Sequence, residues 1–185
     1  MYRKNCLLGI IAHYGYLSAY MLVHFCPTDL FAGLSYDSKL RKIRYLLLKC
    51  YEEKHVKRFR IGSGEYVYYV EDRRSKQWKH IFMRNKYITE NKIKDFEYEY
   101  NFMFGRADAF YKHKGFSYFL EVDTGAHDFK QNITKYESYY KSQRWKTQFQ
   151  LFPTIVVYTT RPETIKKLVH IASCELEFNI VSCYL

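Results

Sequence analysis

Arg106-Ala107-Asp108-Ala109-Phe110 and, thirteen residues beyond Asp108, Phe119-Leu120-Glu121-Val122-Asp123 are the two stretches that decide how this chain reads. Both have the composition of β-strands. Period-two alternation places Glu121 and Asp123 on one face of the second strand, and a hairpin connection brings Asp108 beside them. Carboxylates gathered at strand ends repel one another unless a cation lies between them, and an all-oxygen set suits Mg²⁺ or Mn²⁺. The same spacing also suits Asp108 and Asp123 as turn or edge residues. The residues alone leave a metal site and an ordinary sheet edge both open.

The flanking sequence extends the pattern in both directions. Runs at 96–104, 106–112 and 116–123 read as three strands, separated by Gly105 and by Lys112-His113-Lys114-Gly115. A helix at 79–94 precedes them. A helix at 128–144 follows, with Phe129, Ile133, Tyr136 and Tyr140 in one apolar stripe. The run 152–159 is almost continuously apolar, the mark of a strand covered on both faces. Thr160-Arg161-Pro162-Glu163 reads as a capped helix start, with Thr160 at the cap and Pro162 in the first turn. That helix runs to about 172, and 176–183 closes as a last strand. The expected order is αβββαβαβ.

Beside the apolar stripe of helix 128–144 lie Asp128, Asn132, Lys135 and Tyr139. Lys135 is placed to reach back over the strand ends that hold Glu121 and Asp123. There an ammonium can position a nucleophile or stabilise charge on a phosphate. Asp108, Glu121, Asp123 and Lys135 are therefore the candidate catalytic set, the three carboxylates its metal ligands, the other reading being edge carboxylates and a surface lysine. His127 and Tyr139 are the candidate base or nucleophile, Tyr136 and Tyr140 being assigned to packing. Glu97 and Glu99 alternate with aromatic residues, and one of them is a candidate to face the acidic cluster.

The N-terminal part reads differently. Two short helices lie before Pro27, the second starting at Ser18. A helix at 38–54 then carries Leu40, Ile43, Leu47 and Cys50 on one face. Runs at 56–61 and 65–70 flank Gly62-Ser63-Gly64, a hairpin signal. Three helices and a hairpin predict a winged helix-turn-helix, with 38–54 as recognition helix and 56–70 as wing. From Lys39 to Arg60 there are nine basic and two acidic residues. Lys39, Arg41, Lys42, Arg44, Lys49, Lys57, Arg58 and Arg60 are the expected DNA contacts. The long connection at 26–37 departs from the tight turn that usually joins the last two helices of such a motif. Glu71-Asp72-Arg73-Arg74-Ser75 reads as the boundary to the second unit.

Composition agrees with a nucleic-acid partner. The 185 residues carry a formal charge of +11, which predicts a polyanion, and 48% are apolar, which excludes a wholly disordered chain. Eight Gly and three Pro exclude a linker array or fibrous repeat. The five cysteines are widely spaced, with no paired motif, and read as reduced thiols of a cytoplasmic protein. The fairly apolar stretch 6–25 is interrupted by His13, Gly15, Ser18 and His24. No membrane partner is expected, because a span needs ~20 predominantly apolar residues.

The segments His80…Asn85, Arg106-Ala107-Asp108-Ala109, Phe119-Leu120-Glu121-Val122-Asp123-Thr124-Gly125, Lys135-Tyr136…Tyr139-Tyr140 and Phe152-Pro153-Thr154-Ile155-Val156-Val157 together resemble the replication-relaxation family. That resemblance spans essentially the whole chain. It implies a mixed α/β (α+β) architecture: a winged helix-turn-helix over 1–72, then a restriction-endonuclease-like αβββαβ domain of the PD-(D/E)XK kind over 76–185. The family includes MobC-type plasmid relaxases. The implied activity is thus divalent-metal-dependent nicking of double-stranded DNA at a plasmid transfer or replication origin, alongside relaxosome or replication proteins. Asp108 matches the motif's first acid and Glu121 its second. Asp123 stands where the motif has lysine, and Lys135 looks like that lysine moved to the neighbouring helix. Ala107 replaces the motif's proline. The alternative is a catalytically inactive DNA-binding accessory or repressor on the same fold.

Overall fold

In a computed structural model, residues 2–62, 64–70, 75–172 and 176–184 are described. The chain is mixed α and β, with two sheets, and divides into two compact units between Lys92 and Ile93.

The first unit opens with α1 (Tyr2–Tyr14), which buries Leu7 and Ile11 one turn apart. A two-residue strand, β1 (Leu17–Ser18), leads into α2 (Ala19–Phe25). Ser18 caps α2, its hydroxyl accepting from the Met21 N–H at 3.3 Å. The third helix, α3 (Tyr36–Glu52), buries Ile43, Leu47 and Cys50. It begins earlier than expected because Ser35 is the cap, accepting from the Ser38 N–H at 3.3 Å. Strands β2 (Lys57–Arg60) and β3 (Tyr66–Tyr69) form an antiparallel hairpin. Ser63 of the expected turn lies outside the described residues. β1 adds to β3, giving a three-stranded sheet in the order β1-β3-β2. So short a strand has no sequence signal of its own.

Helix α4 (Trp78–Glu90) was expected with the second unit but packs in the first. Its fully buried Asn85 donates to the carbonyls of Tyr14 (2.9 Å) and Tyr16 (3.2 Å). The compact units therefore part after α4, whereas a boundary at 71–76 was expected; residues 71–74 of that boundary lie outside the described residues.

The second unit is a five-stranded sheet in the order β4-β5-β6-β7-β8, from β4 (Phe96–Phe102), β5 (Gly105–His113), β6 (Phe116–Asp123), β7 (Thr154–Thr159) and β8 (Phe178–Ser182). The first three are antiparallel neighbours; β6-β7 and β7-β8 are parallel. Crossover helices α5 (Lys130–Lys141) and α6 (Pro162–Ala172) share one cluster with the sheet, in which Ile133, Tyr136 and Ile165 meet Phe119, Ile155 and Val157. Within β7, Ile155, Val156, Val157 and Tyr158 are all buried, which explains the unbroken apolar run. β7 starts at Thr154 because Pro153 has no N–H for the ladder. α5 stops at Lys141, short of the expected 144, where Gln143 turns left-handed at φ 58°. Along the chain from α4 the expected order αβββαβαβ is found, apart from a short 3-10 turn at Arg144–Thr147. The first helix of that order lies in the first unit, so the second unit itself reads βββαβαβ.

No helix among the described residues is long and apolar enough to cross a membrane. Cys6, Cys26 and Cys50 are free thiols, and Cys174 lies outside the described residues.

Candidate active site

β5 and β6 run as a regular ladder as far as Ala109 opposite Leu120. At the next position Asp108 substitutes a side chain for the backbone, its Oδ2 accepting from the Val122 N–H at 2.7 Å. That bond holds the Asp108 carboxylate at the strand end, close enough to Glu121 for its charge to disfavour ionisation there.

Glu121 is buried at 3% exposure and has three donors. Its Oε1 accepts from Lys135 Nζ (2.9 Å) and from the Tyr136 hydroxyl (2.5 Å); its Oε2 accepts from Asn132 Nδ2 (3.1 Å). All three donors come from α5, at positions three and four residues apart that share one helix face. Burial, aided by the Asp108 charge, pushes the Glu121 carboxyl up to about 7, against the opposing pull of Lys135 and Tyr136. Burial and the Glu121 charge likewise raise the Tyr136 hydroxyl well above its ordinary range.

Lys135 also donates to the Arg106 carbonyl at 2.6 Å. Its aliphatic stem lies across Gly105, where a Cβ would come within 3.1 Å of Lys135 Cδ. Gly105 has φ +154°. Glycine therefore meets two demands there, an open surface for the lysine stem and a backbone shape that side chains disfavour.

Asp123, expected as a third ligand, does not join this group. Arg161 grips it through Nε (2.8 Å) and Nη2 (2.9 Å), Thr159 Oγ1 donates at 2.7 Å and the Gly125 N–H at 3.1 Å. Burial works against ionisation of Asp123, but these donors outweigh it and hold the carboxyl below its usual range. The cause is register. Asp123 pairs with Thr159 at the parallel end of β7, where α6 begins and delivers Arg161. Because α6 starts at Pro162, Arg161 takes the position expected of Thr160 as cap, and its side chain turns to the carboxylate. Among the described residues, no group of three or more His, Cys, Asp and Glu side chains is gathered to hold a metal ion.

The other candidates separate clearly. His127 is exposed, and its carbonyl accepts from Arg161 Nη2 at 3.0 Å. Tyr139, read as the open tyrosine, is 2% exposed, stacks on Phe102 at 4.9 Å and donates to Gln148 Oε1 at 3.2 Å. A hydroxyl packed in that aromatic cluster, its proton held more tightly by burial, is poorly placed to attack a phosphate. Tyr140, assigned to the stripe, is the more exposed of the two. Glu99 pairs with Arg106 Nε at 2.7 Å. Arg161 is the partner that sequence reasoning missed; the parallel pairing of β6 with β7 delivers it, and no local sequence signal pointed to that pairing.

In the first unit Arg41, Lys42, Arg44 and Lys49 are exposed on α3, and Lys39 is half-buried. Lys57 and Arg60 are exposed on β2, while Arg58 is half-buried between the rings of Tyr51 and Tyr66. Comparison with protein-family models and with curated proteins found no match.

Proposed function

We propose that this chain is a DNA-binding, divalent-metal-dependent endonuclease that nicks duplex DNA, with Asp108 and Glu121 as its metal-holding pair. The observation that carries the reading is the meeting of Asp108, Glu121 and Lys135, from the consecutive elements β5, β6 and α5, where the β5–β6 ladder ends. Two carboxylates are neighbours here, Glu121 pairs with the Lys135 ammonium, and burial together with the Asp108 charge makes Glu121 resist ionisation. A divalent cation from the Mg²⁺ or Mn²⁺ class fits that donor set, since it would balance the remaining charge with oxygen ligands. When bound it would supply Lewis-acid activation of a phosphate oxygen and of water.

The chain's own groups have separable parts in this reading. Tyr136 and Asn132 orient the Glu121 carboxylate, and the Val122 N–H orients Asp108. Lys135 is the cation that contacts the scissile phosphate. Arg161 and Asp123 form a rigid corner beside the site. In the first unit, three helices followed by a hairpin support a winged helix-turn-helix that docks α3 on duplex DNA, its cations lying along phosphates. Action at a plasmid transfer or replication origin, with relaxosome or replication partners, belongs to the same proposal through the family resemblance.

One observation favours the alternative, an inactive DNA-binding accessory: the third carboxylate is committed to Arg161. Incubating supercoiled plasmid carrying candidate origins with the protein separates the two. An open-circular product that requires Mg²⁺ or Mn²⁺, and that Glu121→Ala and Asp108→Asn abolish while duplex binding persists, supports the enzyme. DNA binding without nicking under either metal supports the accessory.

A further inference from the structure

The face between α3 and the β2–β3 hairpin carries more than phosphate-binding charge. It holds a cleft of about 330 Å³, lined by Arg44 and Leu48 of α3, Arg58 of β2, and Glu65, Tyr66 and Tyr68 at β3. Among the described residues neither arginine of the cleft forms an ion pair. Arg58 instead lies between two rings, 4.0 Å from the centroid of Tyr51 and 4.2 Å from that of Tyr66. Arg60 covers Tyr66 at 4.6 Å, and Lys49 covers Tyr45 at 4.8 Å. On α3, Tyr36, Tyr45, Leu48 and Tyr51 are all more than 40% exposed.

Binding a duplex backbone needs cations alone, because the faces of paired bases are stacked and out of reach. Exposed rings interleaved with cations match a different ligand, a strand whose bases offer their faces. The cleft volume lies at the lower end of small-molecule sites, suited to one nucleotide unit. Two guanidiniums can meet one phosphate, Leu48 and the part of the Tyr66 ring left uncovered by Arg58 and Arg60 offer apolar surface to a base, and Glu65 can accept from an exocyclic amino group.

We propose that this cleft captures an unpaired nucleotide of DNA, base against Tyr66 and Leu48 and phosphate on Arg44 and Arg58, so that the first unit prefers melted or single-stranded DNA over intact duplex. The inference rests on reading this unit as DNA-binding, and it names the form of DNA that the unit selects.

The test is fluorescence anisotropy with the full chain on three labelled DNAs of one sequence: a single strand, a blunt duplex and a duplex with a short central bubble. A parallel titration follows 2-aminopurine placed in the strand or bubble. Expected are tighter binding of strand and bubble than duplex, and a change in 2-aminopurine emission on stacking. Tyr66→Leu should weaken strand binding roughly tenfold, since stacking contributes ~1–3 kcal/mol per base, and should weaken duplex binding less, because only the strand stacks on the ring. If Tyr66→Leu fails to fold, Arg58→Lys and the wild-type 2-aminopurine signal carry the test. Equal affinity for strand and duplex with unchanged 2-aminopurine emission overturns the inference and leaves duplex binding standing. Tighter binding of the matching RNA strand overturns the assignment to DNA. No binding to any of the three DNAs overturns the DNA-binding reading itself.

Discussion

Glu121 should make the second unit lose stability as pH rises through neutrality, and Glu121→Gln should remove that dependence. The carboxyl is raised from 4.5 to about 7 by burial and by Asp108. Below about pH 4.5 it is protonated in both folded and unfolded chains. From there to about pH 7 only the folded chain keeps the proton, so stability falls as pH rises; above that both forms are ionised and the loss is complete. At about 1.4 kcal/mol per pH unit, the interval amounts to about 3 kcal/mol. Glutamine keeps the acceptor that faces Lys135 and Tyr136, and an Asn132 amide turned over can accept from its new N–H. The variant should therefore be more stable than the parent at pH 8 by up to about 3 kcal/mol, with the difference shrinking toward pH 5. The measurement is urea unfolding across that range, followed by Trp145, which packs on Tyr140 and Phe152 in the second unit. A Trp78→Phe background removes the other of the two tryptophans. Parallel pH profiles for parent and variant would refute the reasoning, because they would mean that Glu121 titrates alike in the folded and unfolded chains.

Arg161→Met should cost about 2–3 kcal/mol by leaving Asp123 buried without its main partner; adding Asp123→Asn should recover part of that loss in a double-mutant cycle read by urea unfolding. Gly105→Ala should destabilise by about 1–2 kcal/mol, from the φ penalty and the displaced lysine stem, and should reduce any nicking as much as Lys135→Met does. Tyr139→Phe should cost about 1 kcal/mol through its bond to Gln148 and leave nicking intact; loss of nicking in a folded Tyr139→Phe protein would restore the tyrosine as nucleophile. Replacing Arg41, Lys42 and Arg44 together with Ala should weaken DNA binding and flatten its salt dependence by ~0.9 for each phosphate that is no longer neutralised; unchanged binding would move the interface away from α3.

Much of the fold was legible because local rules and burial agreed. Alternation marked the three antiparallel strands, the unbroken apolar run marked β7 as central, and the stripe on α5 marked the face that covers the sheet. Lys135 could be placed near Glu121 for the same reason, since the polar edge of a helix packed on strand ends has few places to go. The failures share a different cause. α4 carries an amphipathic pattern that would suit either unit, and packing of Phe82, Trp78 and Ile81 in the first core, with the two carbonyls that meet Asn85, assigns it to the first. β1 is two residues long and exists because β3 leaves an edge to pair with. Tyr139 and Tyr140 are neighbours on one helix, and a small rotation of α5 against the sheet decides which of them is buried.

Apart from β1, the order and type of the elements, the basic helix before the hairpin and the nearness of Asp108 to Glu121 are written in the sequence, because each depends on periods of two or 3.6 residues and on a short hairpin connection. What Asp123 does is not. Its partner lies 38 residues away, and a carboxylate is indifferent between a metal and an arginine until something brings one of them close. The parallel pairing of β6 with β7 delivers Arg161 there, and no local pattern encodes that pairing. The tertiary structure alone divided the acidic segment into a raised carboxyl beside a lysine and a lowered one held by an arginine, since the two environments come from different elements packing on the same strand end.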